Sequence, residues 1–351
     1  MTSTNKEDLY NLSLSELTDF ITNVGEKPYR AKQLYRWLYE KGITDINAMT
    51  DIPDSSRTKL CEIASNDSLE IVDTLNSIDD STEKHLLKTH DNHYIETVFM
   101  KYKKRNSICI SSQVGCRMGC TFCASGSKGL VRNLTPAEMT LQIILSENKS
   151  EERIKNIVIM GIGEPLENFE NVKKFIENIT SDFGRDLSRR AITLSTCGLV
   201  PMIHRLADEL PQVNLAVSLH APNDKLRAEI MPITRKYDIA SLIKAVNYHY
   251  ETTKRRSTFE YTLIEGFNDS EANAKELARL LRGMNCLVNL IPLNKVTKGK
   301  QQGSNKTRQK NFHEVLSYYH IPATIRRSLG EDIDAACGQL MLKQVEASKD
   351  I

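Results

Sequence analysis

The sequence predicts an α/β protein of 351 residues: a full or partial (β/α) barrel preceded by a helical accessory region and a β-rich connector. Three observations lead there. From about residue 105, β-rich runs alternate with helical segments, the pattern of a parallel sheet with crossover helices. Residues 1–65 carry helical spacing, whereas residues 66–104 carry short strand-like runs. The unusual residues fall just after strand candidates, where the loops of a parallel barrel open on one face.

The elements follow in order. Ser13 and Glu16 have capping-box spacing, and Leu14, Leu17, Phe20 and Ile21 follow at helical intervals. A second helix is expected after Pro28, with Ala31, Leu34, Trp37 and Leu38 as its apolar stripe and Gly42 as its stop. Arg30, Lys32, Arg36 and Lys41 also lie on this helix. SLEIVDTL, KHLLKTH and HYIETVFM read as strands joined by polar turns. Later strand candidates are 107–111, 156–160, 191–195, 213–219, 258–263, 287–291 and 323–326. Helices are expected between most of them, for example over 136–147, 172–180, 240–250 and 272–282. The barrel is expected to span 105–345, with 346–351 a tail and KGKQQGSNKTRQK, residues 298–310, a mobile loop.

Charge and composition narrow the setting. A net charge of +2 gives no global basic field, although basic runs at 101–105, 254–256 and 295–310 give weak support for a polyanion partner. No apolar run approaches the roughly 18 residues of a membrane span. MTSTNKEDLY lacks the pattern of a signal peptide, so the cytoplasm is the expected compartment. There, eight cysteines point to metal or catalysis rather than structural disulfides.

CRMGCTFC sets Cys116, Cys120 and Cys123 at C-x3-C-x2-C spacing, with no fourth cysteine close by. A structural zinc site wants four ligands, commonly as two C-x2-C pairs. The nearest histidines in sequence are His93 and His204, so zinc would need a borrowed ligand. An iron–sulfur cluster fits better, because thiolates are its standard ligands. Three of them hold three irons of a [4Fe–4S] cube and leave one iron open to a small chelating ligand.

That arrangement resembles the radical S-adenosylmethionine (SAM) superfamily, in which SAM occupies the fourth iron and is cleaved to a 5′-deoxyadenosyl radical. Phe122, before the last cysteine, also fits the superfamily pattern. CISSQVGCRMGCTFC, MGIGEPLEN, LSTCGLVP, SLHAPND, NLIPLN and GEDIDAACGQL together resemble the RlmN/Cfr family of RNA methyltransferases, from about Tyr94 to Leu340. The resemblance implies a partial (β/α) barrel, one [4Fe–4S] cluster, two SAM per turnover, and methylation of an adenine ring carbon in 23S ribosomal RNA. It implies that Cys337 is methylated first and carries the group to the ring. By the same resemblance Cys109 releases the product by forming a disulfide with Cys337, and Glu96 accepts the proton of the ring carbon. By pattern alone, Cys109 reads as a buried strand cysteine, Cys337 as a loop cysteine and Glu96 as surface. Gly163, Glu164, Ser195, Ser218, Leu219, His220 and Asn294 match the family's SAM contacts, while Cys61, Cys197 and Cys286 match no role.

The motifs resemble the RlmN branch, which methylates carbon 2 and also acts on certain tRNAs, more than the Cfr branch, which methylates carbon 8. The implied partners are 23S rRNA, tRNA and an electron donor such as flavodoxin or ferredoxin, with no membrane. A carbon-8 methyltransferase is the alternative within enzymes. A zinc-stabilised RNA-binding protein is the alternative outside them.

Overall fold

In the computed structural model, residues 6–102, 105–126, 129–185, 187–294, 302–327, 329–335 and 339–340 are described. Cys337 and residues 295–301 lie outside them. Strand β1 (Glu7–Asp8) leads into helix α1 (Leu14–Asn23), which starts on the predicted capping box. Ser13 N–H donates to Glu16 Oε2 at 2.7 Å, and Glu16 N–H donates to Ser13 Oγ at 3.3 Å. Helix α2 (Tyr29–Tyr35) widens into a π turn over Arg36–Glu40 before Gly42 ends it. After α3 (Asp54–Ile63), strand β2 (Ala64–Ser65) pairs with β1 and joins the two ends of the helical region.

Leu17, Ile21, Ala31, Leu34 and Leu38 are buried, so the apolar stripes read from the sequence form the packing face. Trp37 is only partly buried, and Lys41 lies over its ring. Two longer-range bonds tie these helices to the barrel. Tyr35 Oη donates to the Asn178 carbonyl at 3.1 Å, and the Arg185 guanidinium donates to the Tyr39 carbonyl at 2.9 Å.

The connector is an antiparallel ribbon of β3 (Leu69–Asn76), β4 (Thr82–Thr89) and β5 (Tyr94–Met100), continued by β6 (Asn106–Ile110). A hairpin of β7 (Gln113–Cys116) and β8 (Gly129–Asn133) then brackets the cysteine loop. Next come α4 (Pro136–Ser150), β9 (Ile154–Ile159), α5 (Phe169–Ile179), β10 (Ile192–Thr196), α6 (Val200–Glu209) and β11 (Asn214–Ser218). The chain continues through α7 (Asp224–Ile230), α8 (Ile239–Thr253), β12 (Ser257–Leu263), α9 (Glu271–Leu280), β13 (Cys286–Pro292), α10 (Lys306–Tyr318) and β14 (Ala323–Ile325).

Ten strands form one sheet, in the order β3-β4-β5-β6 antiparallel and then β6-β9-β10-β11-β12-β13-β14 parallel. The parallel strands are neighbours in sequence order, and no pairing among the described residues joins β14 back to the other edge. The result is an open arc, which decides for the partial barrel. No helix among the described residues is long and apolar enough to cross a membrane.

One expectation is corrected. Within the segment read as a mobile loop, Gly303 pairs with Ile264, Ser304 Oγ donates to Asp269, and Asn305 caps α10. Polar composition at 302–310 thus serves capping and a buried carboxylate rather than disorder.

Helix α4 explains how the cysteine loop is placed. It is buried along most of its length, and Gln142 sits in its middle. The Gln142 amide accepts from Ser111 N–H at 2.7 Å and from Thr97 Oγ1 at 2.6 Å, and donates to the Ser111 carbonyl at 3.0 Å. A side chain thereby completes the backbone pairing where β6 ends and the loop toward Cys116 begins.

Candidate active site

Every loop singled out from the sequence leaves the carboxyl end of a parallel strand. A cleft with a cavity volume of about 130 Å³ opens there. Its walls include Cys123, Ser195, Ser218, His220 and Asn294, which lie up to 171 residues apart in sequence. Phe122, Met160, Glu260, Thr262 and Arg326 line it too, and none of the last three is marked out by the sequence motifs. Glu260 had one available signal, a carboxylate inside the otherwise strand-like run TFEYTL.

His220 shows how the wall is fixed. Its backbone is left-handed, with φ of 55°. Its ring stands edge-on to Phe122, with centroids 4.7 Å apart. Nδ1 accepts from Thr262 N–H at 3.0 Å, so the neutral ring carries its proton on Nε2. Burial, helped by the nearby Arg227 cation, pushes its pKa down to about 3. Glu260 is buried on the same wall; Oε1 accepts from Asn289 at 3.0 Å, and burial raises its pKa.

Gly163, Glu164 and Leu219 are placed differently, behind the lining of this cleft. Gly163 has φ of 115°, and a Cβ there would lie 2.7 Å from Gln113 Cβ, so only glycine lets the two loops meet. Glu164 is buried; Oε2 accepts from Cys197 N–H at 2.8 Å and Oε1 from Leu166 N–H at 3.1 Å. Burial raises its pKa. Its carboxylate fastens the β9 loop to the β10 loop.

Arg227, fully buried, fastens the next pair. Its guanidinium donates to the carbonyls of Cys197 (2.6 Å), Ser218 (3.0 Å) and Leu219 (3.1 Å), and to Thr234 Oγ1 (3.0 Å). Nothing in the sequence marks this arginine, because its partners are carbonyls from separate loops.

Cys116, Cys120 and Cys123 sit together on the rim. Thr121 N–H donates to the Ile230 carbonyl at 3.0 Å, and Cys123 N–H to the Cys120 carbonyl at 3.2 Å. Burial pushes the Cys116 thiol up to about 11, and burial with repulsion from Cys123 raises Cys120 further. Three thiolates from one loop, with no fourth ligand from the same loop, suit an iron–sulfur cluster. His90, Asp91 and Glu138 also lie close together, but Arg132 already pairs with both Asp91 and Glu138 at 2.7 Å.

The same concave face continues onto the connector. Cys109 on β6 lies opposite Val98 on β5 and beside Val158 on β9. Glu96, two residues before Val98, shares that face. The carboxylate read as surface from pattern alone is buried, and Lys84 Nζ lies 3.1 Å from its Oε1. Cys109 is partly buried. It packs in one apolar cluster with Val98, Ile162, Leu329, Ile333, Ala335 and Leu340. Ala335 and Leu340 flank Cys337 in sequence, and Ser125, just past the cysteine triplet, donates to the Leu340 carbonyl at 3.2 Å.

The comparisons with known proteins agree with this geometry. Residues 7–65 match the ribosomal RNA large subunit methyltransferase N-terminal domain, and residues 110–278 match the radical SAM superfamily. A probable dual-specificity RNA methyltransferase RlmN from Clostridium perfringens is 46% identical over 97% of this chain and 98% of its own length. The protein of the same name from Clostridium tetani is 47% identical over 97% and 98%. The chain belongs to the RlmN family of radical SAM RNA methyltransferases. A radical SAM methyltransferase from Sphaerobacter thermophilus has the same fold, with a TM-score of 0.93 and 45% identity over 95% of this chain and 99% of that one.

RlmN-family membership implies a [4Fe–4S] cluster and SAM, and the rim cysteines and cleft suit both. A testable consequence of the packing is acid sensitivity. Burial pushes the pKa of His85 and His249 down to about 4, and that of His220 to about 3. Below about pH 6.5 the unfolded imidazoles bind protons that the folded ones refuse. Their contribution to stability is therefore complete above that pH and lost as pH falls toward the folded values. Each histidine should cost about 1.4 kcal/mol per pH unit in that window. The urea midpoint of the metal-free protein should drop sharply between about pH 7 and about pH 5. His249→Gln should reduce the drop, and a flat midpoint would contradict neutral burial.

Proposed function

We propose that this enzyme methylates carbon 2 of adenosine in 23S rRNA, and in tRNA, through a methyl-cysteine intermediate. The reading is carried by the convergence of Cys109, Glu96 and the flanks of Cys337 on the face that continues into the SAM cleft. The names of the relatives, dual-specificity RNA methyltransferases, support RNA of more than one class as substrate.

The target explains why two further cysteines are needed. Carbon 2 of adenine has no lone pair with which to attack a SAM methyl group. Its C–H is also far too weak an acid for a side-chain base to generate a carbanion. When bound at Cys116, Cys120 and Cys123, the cluster supplies the electron that turns SAM into a hydrogen-abstracting radical. The protein's own residues do the rest. Cys337 accepts a methyl group by displacement at sulfur and presents it to the ring. Glu96 takes the proton from the ring carbon that receives the methylene. Cys109 attacks the Cys337 sulfur; the new S–S bond replaces the bond from sulfur to the methylene carbon, which leaves with the electron pair and takes up a proton to become the methyl group.

In the cleft, the neutral His220 offers Nε2–H as a donor, Ser195, Ser218 and Asn294 offer small polar groups, and Met160 and Ile291 offer apolar walls. That mixture suits a nucleoside with an amino-acid tail. Glu164 is assigned to the SAM amino group by motif. Lys32, Arg36 and Lys41 are exposed on the helical region, where phosphate contact would orient the RNA. The experiment that tests this function is identification of the methylated nucleoside made by the anaerobically reconstituted enzyme.

A further inference from the structure

The reading of Glu96 as proton acceptor leaves open what holds that carboxylate in place, and the inference here rests on that reading. Lys84 on β4 lies directly opposite Val98, which lies opposite Cys109. The three residues form one row across the sheet on the concave face. The Lys84 ammonium is 3.1 Å from Glu96 Oε1, and both side chains are under one-tenth exposed. A lysine this deeply buried is uncommon and is placed there by its partners.

The second partner is the Asp334 carbonyl, to which Lys84 Nζ donates at 3.3 Å. Asp334 stands three residues before Cys337. The turn between β3 and β4 grips the same segment twice more. Asp80 Oδ2 accepts from Gly330 N–H at 2.9 Å, and Asp332 accepts from Ser77 Oγ and Ile78 N–H, each at 2.8 Å. The β3–β4 hairpin thus holds the segment leading to Cys337, and Lys84 is the point where that grip meets Glu96.

We propose that Lys84 is a positioning residue that holds the Glu96 carboxylate at the ring carbon and fixes it relative to the segment carrying Cys337. Lysine suits this role because one ammonium can serve a carboxylate and a carbonyl at once. It acts through Glu96 and is not among the residues lining the cleft.

The test compares Lys84→Met, Lys84→Arg, Glu96→Gln and the double variant Lys84→Met/Glu96→Gln in the full-length reconstituted enzyme. Lys84→Met should slow methylation by about 100-fold, the scale of a displaced general base. It should still carry the methyl group on Cys337, read by peptide mass. It should also accumulate a covalent protein–RNA species on denaturing gels, because the ring proton is not removed. Lys84→Arg should recover about tenfold of the loss, since a guanidinium can hold the same carboxylate. The double variant should be no slower than Glu96→Gln alone. Lys84→Met turning over within about threefold of the parent would overturn the proposal. So would an unmethylated Cys337 in that variant, or an additive double variant. If Glu96→Gln is fully active while Lys84→Met is slow, the positioning of Glu96 is refuted together with the role of Glu96. If only Glu96→Gln is slow, the role of Lys84 alone fails.

Discussion

Cys337→Ala is expected to abolish RNA methylation while leaving iron and sulfide content unchanged. Cys116, Cys120 and Cys123, the proposed cluster ligands, belong to the rim at β7 and the turn after it. Cys337 belongs to a separate segment, whose described flanks Ala335 and Leu340 are buried against Cys109. In the proposed mechanism, removing its thiol removes the atom that carries the methyl group, and no other described cysteine stands between the same flanks. Cys197 and Cys286 are buried, and burial raises both thiols, which makes them poor nucleophiles. The variant should also fail to take up a methyl group from SAM, read by intact mass. Residual turnover would require a second methyl carrier and would refute the assignment.

Cys109→Ala should stall one step later, with RNA covalently bound to protein. Without the resolving thiol, the bond between the Cys337 sulfur and the methylene carbon has no nucleophile to break it. Cys109 is half-buried on β6, flanked by Val98 and Val158, so alanine fits the site with little loss of packing. The stalled species should run as a shifted band on denaturing gels and disappear on nuclease digestion. Normal turnover without an adduct would show that release does not use Cys109.

Much of the architecture is legible in the sequence because it rests on local rules. The capping box at Ser13 and Glu16, the apolar stripe from Ala31 to Leu38, and the alternation of strands and helices all appear where those rules put them. The cysteine triplet and the loop motifs likewise fall at strand ends. What local rules miss are groups whose reason lies across the fold. Glu96 reads as surface because HYIETVFM gives no hint of Lys84 beneath it, twelve residues earlier on the neighbouring strand. Arg227 goes unmarked in the sequence because its carbonyl partners come from the loop after β10 and the end of β11. Residues 302–310 read as a mobile loop because their polar side chains bond to distant Asp269 and cap α10.

The most direct measurement is mass spectrometry of nucleosides from a 23S rRNA fragment and from tRNA, each treated with SAM, a reductant and enzyme reconstituted anaerobically with iron and sulfide. The account predicts 2-methyladenosine from both RNAs, formed only by the iron–sulfide enzyme. 8-Methyladenosine would contradict the assigned carbon, and unmodified RNA from protein that holds one zinc and no sulfide would contradict the radical chemistry altogether.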